Sequence, residues 1–181
     1  MGMRGKSTAS KYGNVAVTIH WLSAVLIVAL LGLGFRAATT TDPDAKAQLL
    51  SIHAPLGFLM LVLTLARIAW WWWADRKPDP VAGTPALQHR AARAVHLLFY
   101  VVILGMGASG IGMLVLSGAG PVIFGAAPGP LPDFWNYLPR VPHGLGARAM
   151  LALLALHMAG AMYHHFIRRD GLLRRMWYGT D

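Results

Sequence analysis

A chain of 181 residues, 56% of them hydrophobic and only 13% charged, is too apolar for a soluble domain of this size and falls in the membrane class. It has no cysteine, which excludes disulfides, thiolate metal sites and iron–sulfur clusters, and it has eight histidines. The net charge of +9 comes from sixteen Lys and Arg placed around apolar runs; it is a topology signal and not a nucleic-acid patch, which would need a polar domain to carry it.

Residues 15–35, 49–73, 95–116 and 145–167 each run for about twenty residues or more, enough to cross a hydrocarbon core of about 30 Å. Period-two alternation is absent and open sheet edges are excluded from lipid, so these spans are helices. The expected fold is an all-α four-helix transmembrane bundle, up and down, forming one domain over residues 1–181. The basic start and the sequence Phe35-Arg36-Ala37-Ala38 imitate a secretory signal. The apolar run is longer than the roughly 7–15 residues of such a signal and carries His20 and Trp21, so it reads as a retained span.

The first loop, residues 36–48, is polar and contains Asp42-Pro43-Asp44 as a helix-start signal. Trp70 to Trp73 close the second span as an interfacial belt, ahead of a loop over residues 74–90 with Pro78, Pro80 and Pro85. The third loop, residues 117–142, holds six prolines together with Phe134, Trp135 and Tyr137, rings suited to the headgroup region. Twelve basic residues (Arg4, Lys6, Lys11, Arg67, Arg76, Lys77, Arg90, Arg93, Arg168, Arg169, Arg174 and Arg175) lie on the side of the termini and second loop. Only Arg36, Lys46, Arg140 and Arg148 lie opposite, so the positive-inside rule puts both termini in the cytoplasm.

An imidazole inside a bilayer needs a partner, and the depths of the histidines point to one kind. A haem iron between helices takes two neutral imidazoles at one level, one from each side; without cysteine it is held with no thioether. His143 and His157 are fourteen residues apart, about 21 Å and about 40° of drift on a helix, so they share a face at two depths. On the expected span limits His20 lies about 7.5 Å inside the cytoplasmic end of its helix and His53 about 6 Å inside the external end, roughly 16 Å apart along the normal. The spacing His157 to His164, about 10 Å, would stack two macrocycles almost in contact, and His143 to His164, about 31 Å, nearly equals the core. The pairs that remain are His53 with His143 and His20 with His157. Both demand that the fourth helix sit about 6–7 Å closer to the cytoplasm. Gly57, Gly144, Gly146 and Gly160 lie near these positions, either admitting a flat cofactor or packing helices. His96, His164, His165 and His89, with Arg93, Arg67 and Arg168, remain on the cytoplasmic side as candidates to frame a quinone head group and its protons, or to contact lipid headgroups.

Lys11-Tyr12-Gly13, Ile19-His20-Trp21-Leu22, Ile52-His53 with Gly57, Arg93 with His96 and Tyr100, and His143 with His157 and His164-His165 resemble the bacterial cytochrome b561 family over nearly the whole chain. The resemblance implies a four-helix di-haem b protein of the bacterial inner membrane, passing electrons between the periplasm and ubiquinone. It implies His53 and His143 as ligands of the periplasmic haem, His20 and His157 of the cytoplasmic one, and His164 or His165 for the quinone and its protons. Members of this pattern include a superoxide oxidase, which makes superoxide the expected periplasmic donor. Arg36, Lys46, Arg140 and Arg148 are then the cations available to attract it. Two other classes compete with this oxidoreductase. One is a haem-bearing anchor relaying electrons for a separate dehydrogenase; the other is a metal or proton transporter, disfavoured because the spans carry no carboxylate.

Overall fold

The computed structural model describes residues 5–178; Arg4 of the charge count lies outside the described residues. Four long helices carry the chain: α1 (Asn14–Thr39), α2 (Pro43–Ala69), α3 (Ala86–Ser117) and, after the short α4 (Gly120–Ile123), α5 (Arg140–Met162). Each of the four is long and apolar enough to cross a membrane, α2 with its extension to Ala74 and α5 with its extension to Arg168. Their outer faces carry exposed Val25, Val28, Phe58, Leu65, Val101 and Val115, as expected of helices whose solvent is lipid.

The helices are longer than the apolar runs that announce them, and at the start of α2 local capping rather than hydropathy sets the end. Asp42 caps α2 by accepting the Asp44 N–H at 3.0 Å, and Pro43 stands at the first helical position. The expected polar loop 36–48 therefore shrinks to residues 40–42, with Arg36 and Lys46 on helices. At the other end of α2, Trp70–Ala74 forms a π-helical turn, and Trp72 and Trp73 are 77% and 81% exposed, as belt residues are. Gly118 ends α3 in the left-handed conformation at φ 63°. α5 starts at Arg140, before its apolar run, and passes into a π-helical segment, Tyr163–Arg168.

α1 packs along α2, α3 along α5, and α2 against α3. Consecutive long helices run antiparallel, so the amino-terminal segment, the 75–85 loop and the carboxy-terminal segment gather at one end of the bundle. Backbone polar groups at that end are stitched across sequence. Asp79 N–H donates to Ala9 O (2.9 Å) and Tyr12 N–H to Arg175 O (3.3 Å). The Arg175 guanidinium donates to the carbonyls of Ser10 (2.6 Å), Ala9 (3.1 Å) and Asp79 (2.7 Å).

Asp75 is the centre of this stitching. Its carboxylate accepts both the N–H and the hydroxyl of Ser7 (3.0 and 2.7 Å) and the Trp70 indole N–H (3.2 Å), while Ser7 Oγ accepts the Gly13 N–H. A Cβ on Gly13 would lie 2.4 Å from the Lys6 carbonyl carbon, so only glycine lets the chain cross itself here. Partial burial pushes the Asp75 carboxyl up, but the bonds from Ser7, Arg76 and Trp70 outweigh it and hold it below the usual carboxylate range. The group thus stabilises the fold above the ordinary carboxylate pKa, and the contribution fades as pH falls through the depressed value. Asp75→Asn should cost about 1.5–3 kcal/mol at neutral pH, the worth of hydrogen bonds to a charged group. Thermal unfolding in detergent should show the gap between the two chains closing as pH drops below about 4; a gap independent of pH would contradict the ionised contact.

Candidate functional site

Two levels of side chains cross the bundle, four helical turns apart. On each long helix the two residues concerned are fourteen positions apart: His20 and Gly34 on α1, His53 and Arg67 on α2, His96 and Gly110 on α3, His143 and His157 on α5. Fourteen residues rise about 21 Å with about 40° of drift, so each helix presents both members from nearly one face. Because α1 and α3 run against α2 and α5, Gly34, His53, Gly110 and His143 share the upper level. His20, Arg67, His96 and His157 share the lower, at the stitched end.

At the upper level the His53 and His143 rings face each other with centroids 6.1 Å apart. Each ring lies against a glycine of the neighbouring helix. His143 Nδ1–H donates to the Met106 carbonyl at 3.1 Å, with Ser109 Oγ 3.1 Å from the same nitrogen. One turn past Met106 is Gly110, where a Cβ would lie 3.5 Å from His143 Cε1. On the other side the His53 Nδ1 is buried without a hydrogen-bond partner. It lies toward the Leu30 carbonyl of α1, and one turn past Leu30 is Gly34, where a Cβ would lie 3.1 Å from His53 Cε1. A carbonyl with glycine four residues later lets an imidazole reach the helix backbone. A carbonyl only accepts, so the proton sits on His143 Nδ1 and the Nε2 lone pair is left free.

The two rings line a cavity of about 680 Å³, within the size of cofactor sites, bordered also by Gly34, Gly57, Gly107 and Gly110. Lys46, Arg140 and Arg148 line it as well, with Arg140 stacked 4.5 Å over the Trp135 ring. Metal–imidazole bonds of about 2 Å leave the centres of two opposed rings roughly 6 Å apart. Among the described residues no group of three or more His, Cys, Asp or Glu gathers to hold a bare ion. The geometry fits a flat group whose metal has its own in-plane ligands and takes one imidazole from each side.

At the lower level His20 and His157 repeat the upper separation, with centroids again 6.1 Å apart. His157 also meets His96 at 5.4 Å and Phe99 at 5.6 Å. His96 Nδ1–H donates to Ala92 O at 2.6 Å, which turns its other nitrogen outward. Beyond this level His164 Nδ1–H donates to Asp170 Oδ2 at 2.5 Å. Arg168 Nε lies 3.5 Å from the same oxygen and its Nη2–H donates to Gly83 O at 2.9 Å. Burial pushes the Asp170 carboxyl up, but the hydrogen bonds from His164 and the Leu172 N–H prevail and hold it below the usual range.

The eight residues expected at the site are thus distributed unequally. The structure brings together His53 with His143, and His20 with His157 and His96; it groups His164 with Arg168 and Asp170. It does not bring in His165, which meets Phe166 edge to face at 4.7 Å, or Arg93, which is exposed. Of the four glycines expected near the histidines, Gly57 and Gly144 line the cavity. At Gly146 a Cβ would strike Met106 Cγ at 2.6 Å, and at Gly160 nothing lies within 4 Å. The glycines against the rings, Gly34 and Gly110, were legible only through the fourteen-residue interval.

Residues 11–179 match the family profile of prokaryotic cytochrome b561. The chain is 29% identical to cytochrome b561 homolog 2 of Escherichia coli (strain K12), over 94% of this chain and 93% of that protein. It is 24% identical to cytochrome b561 homolog 1 of the same organism, over 92% and 97%. It is 27% identical to the probable superoxide oxidase CybB of Yersinia pestis, over 92% and 95%.

The Met106 carbonyl fixes the His143 tautomer by itself, so Ser109→Ala should leave the proton on Nδ1 while costing about 1 kcal/mol of stability. Nitrogen-15 shifts of the histidine rings would read the tautomer directly, and a shift of the proton to Nε2 in that variant would show that the hydroxyl, not the carbonyl, sets it.

Proposed function

Because the chain belongs to the prokaryotic cytochrome b561 family, and is therefore a multi-pass inner-membrane protein of electron transfer, we propose that it is an oxidoreductase with two b-type haems. The observation that carries this reading is the pair of imidazole couples with equal ring separation of 6.1 Å at two levels of one bundle. His53 and His143 hold the upper haem; His20 and His157 hold the lower. Each haem, when bound, supplies a one-electron redox centre. The excess of Lys and Arg at the stitched end argues that this end, with both termini, faces the cytoplasm and the cavity end the periplasm.

The overall chemistry is superoxide oxidation coupled to ubiquinone reduction. Two superoxide anions lose one electron each to become dioxygen, and one quinone gains two electrons and two protons to become quinol. The chain's residues contribute position and charge. Lys46, Arg140 and Arg148 at the cavity, with Arg36 nearby in sequence, give an anion an attractive approach. At the opposite end His164, anchored through Nδ1 to the ionised Asp170, has its other ring nitrogen available to pass a proton to a quinone head group. His96 stands at the lower level against His157, whereas His165 and Arg93 lie apart from this group. Electron relay for a separate dehydrogenase is the second reading, favoured by the membership of this family alone. Quinone reduction by the purified protein with superoxide as sole donor decides between them, since a relay subunit would be inactive without its partner.

His157→Ala should lose the lower haem and keep the upper one, so that bound haem falls by about half. His53→Ala should lose the other spectral component. Removal of the same component by both substitutions would mean that His53 and His157 share an iron.

His164→Ala should slow reoxidation of the reduced protein by added quinone by roughly tenfold to a hundredfold, with haem content and reduction by the external donor nearly unchanged. The double replacement of His164 and His165 by Ala should add little. Stopped-flow traces identical to those of the unaltered chain would remove His164 from the quinone reaction, and loss of a haem would make it a ligand.

A further inference from the structure

Among the described residues Arg67 has no answering group. It lies in the α2 span at the lower level, fourteen residues past His53, and its Nε is buried with no hydrogen-bond partner. Its charge bears on His20, His96 and His157 together, and on Lys77. Among the described residues the ion pairs involve only His164, Arg168 and Asp170. Asp75, at the end of the same helix, is taken by Ser7 and Trp70. A guanidinium does not give up its proton in a protein, so one held inside a span among imidazoles and another cation requires an anion from outside the chain.

We propose that Arg67 is the anion-binding residue of the lower cleft and that its partner is a carboxylate of the group held by His20 and His157. The assignment rests on the haem reading above, since haem b carries two such carboxylates. It follows from placement: α2 runs in the same direction as α5, and the interval that sets His157 below His143 sets Arg67 below His53. At the upper level the cavity already has three cations in its lining, Lys46, Arg140 and Arg148. Arg67 offers a planar fork of donors that matches a carboxylate in two parallel bonds, and a lipid phosphate is the other source of the same oxygen chemistry.

The test is a spectroscopic redox titration of the purified holoprotein, with the lower component identified as the one missing from His157→Ala. Loss of the guanidinium leaves a carboxylate uncompensated beside the iron and favours the oxidised state. Arg67→Gln should therefore shift the lower component about tenfold toward oxidation, about 59 mV for a one-electron couple, or lose that haem, with the upper component unmoved. Arg67→Lys, which keeps the charge, should stay within about threefold of the unaltered chain. Two unmoved potentials in Arg67→Gln, or an Arg67→Lys chain as altered as Arg67→Gln, would overturn the assignment while leaving the haems in place. An effect that vanishes on removal of phospholipid and returns with added anionic lipid would give the anion to a headgroup and overturn the carboxylate. Absence of haem from the unaltered chain would overturn the haem reading itself, and the assignment with it.

Discussion

The constraint on which the molecule depends is that a polar side chain inside a bilayer must find its partner at its own depth. A helix of 3.6 residues per turn can repeat a face only at certain intervals, and fourteen is one of them. All four long helices use it, and each places its two functional positions on opposite levels of one cleft. Alternation of chain direction then brings together one member from every helix at each level. Eight residues are organised by a single number.

The interior of the bundle is thin in ordinary core. Few large side chains are fully buried; Val17 and Thr64 are the largest. Space that a soluble bundle would fill with Leu and Phe is left to a cavity edged by glycine. The two glycines that matter most do not act through unusual backbone angles. Gly34 and Gly110 remove a Cβ where the His53 and His143 rings approach the helix backbone, and at Met106–Gly110 the imidazole bonds the carbonyl with one nitrogen and leaves the other free. The same replacement of side chain by open space makes the site wide enough for a flat group and fixes the rings that would grip it.

The two ends of the bundle differ in construction. At the lower end Asp75 and Arg175 tie three segments distant in sequence into one polar cap, with His164, Asp170 and Arg168 beside it. At the upper end the connection between α3 and α5 is long and proline-rich, tied down by buried Ala119 and Ile123 and by Arg140 over Trp135, and the cavity beneath it is bordered by cations.

Much of this was present in the residue order. Hydropathy fixes four spans because a bilayer accepts only self-satisfied helices, and the His143 to His157 interval assigns two depths by helix geometry alone. Helix ends were less legible: the apolar runs stop where lipid contact stops, whereas Asp42 and Pro43 start α2 earlier through local hydrogen bonding. What the tertiary structure decided is which residues meet. Gly34 and Gly110 are unremarkable until the rings across the cleft are placed, and His96 is one of several cytoplasmic-side histidines until it stands against His157. Arg67 counts in the sequence as one more positive charge near the membrane surface. Only the packing of α2 against α1 and α3 buries its Nε at the level of three imidazoles, because the environment of a charge depends on its neighbours in space, and those come from other helices of the chain.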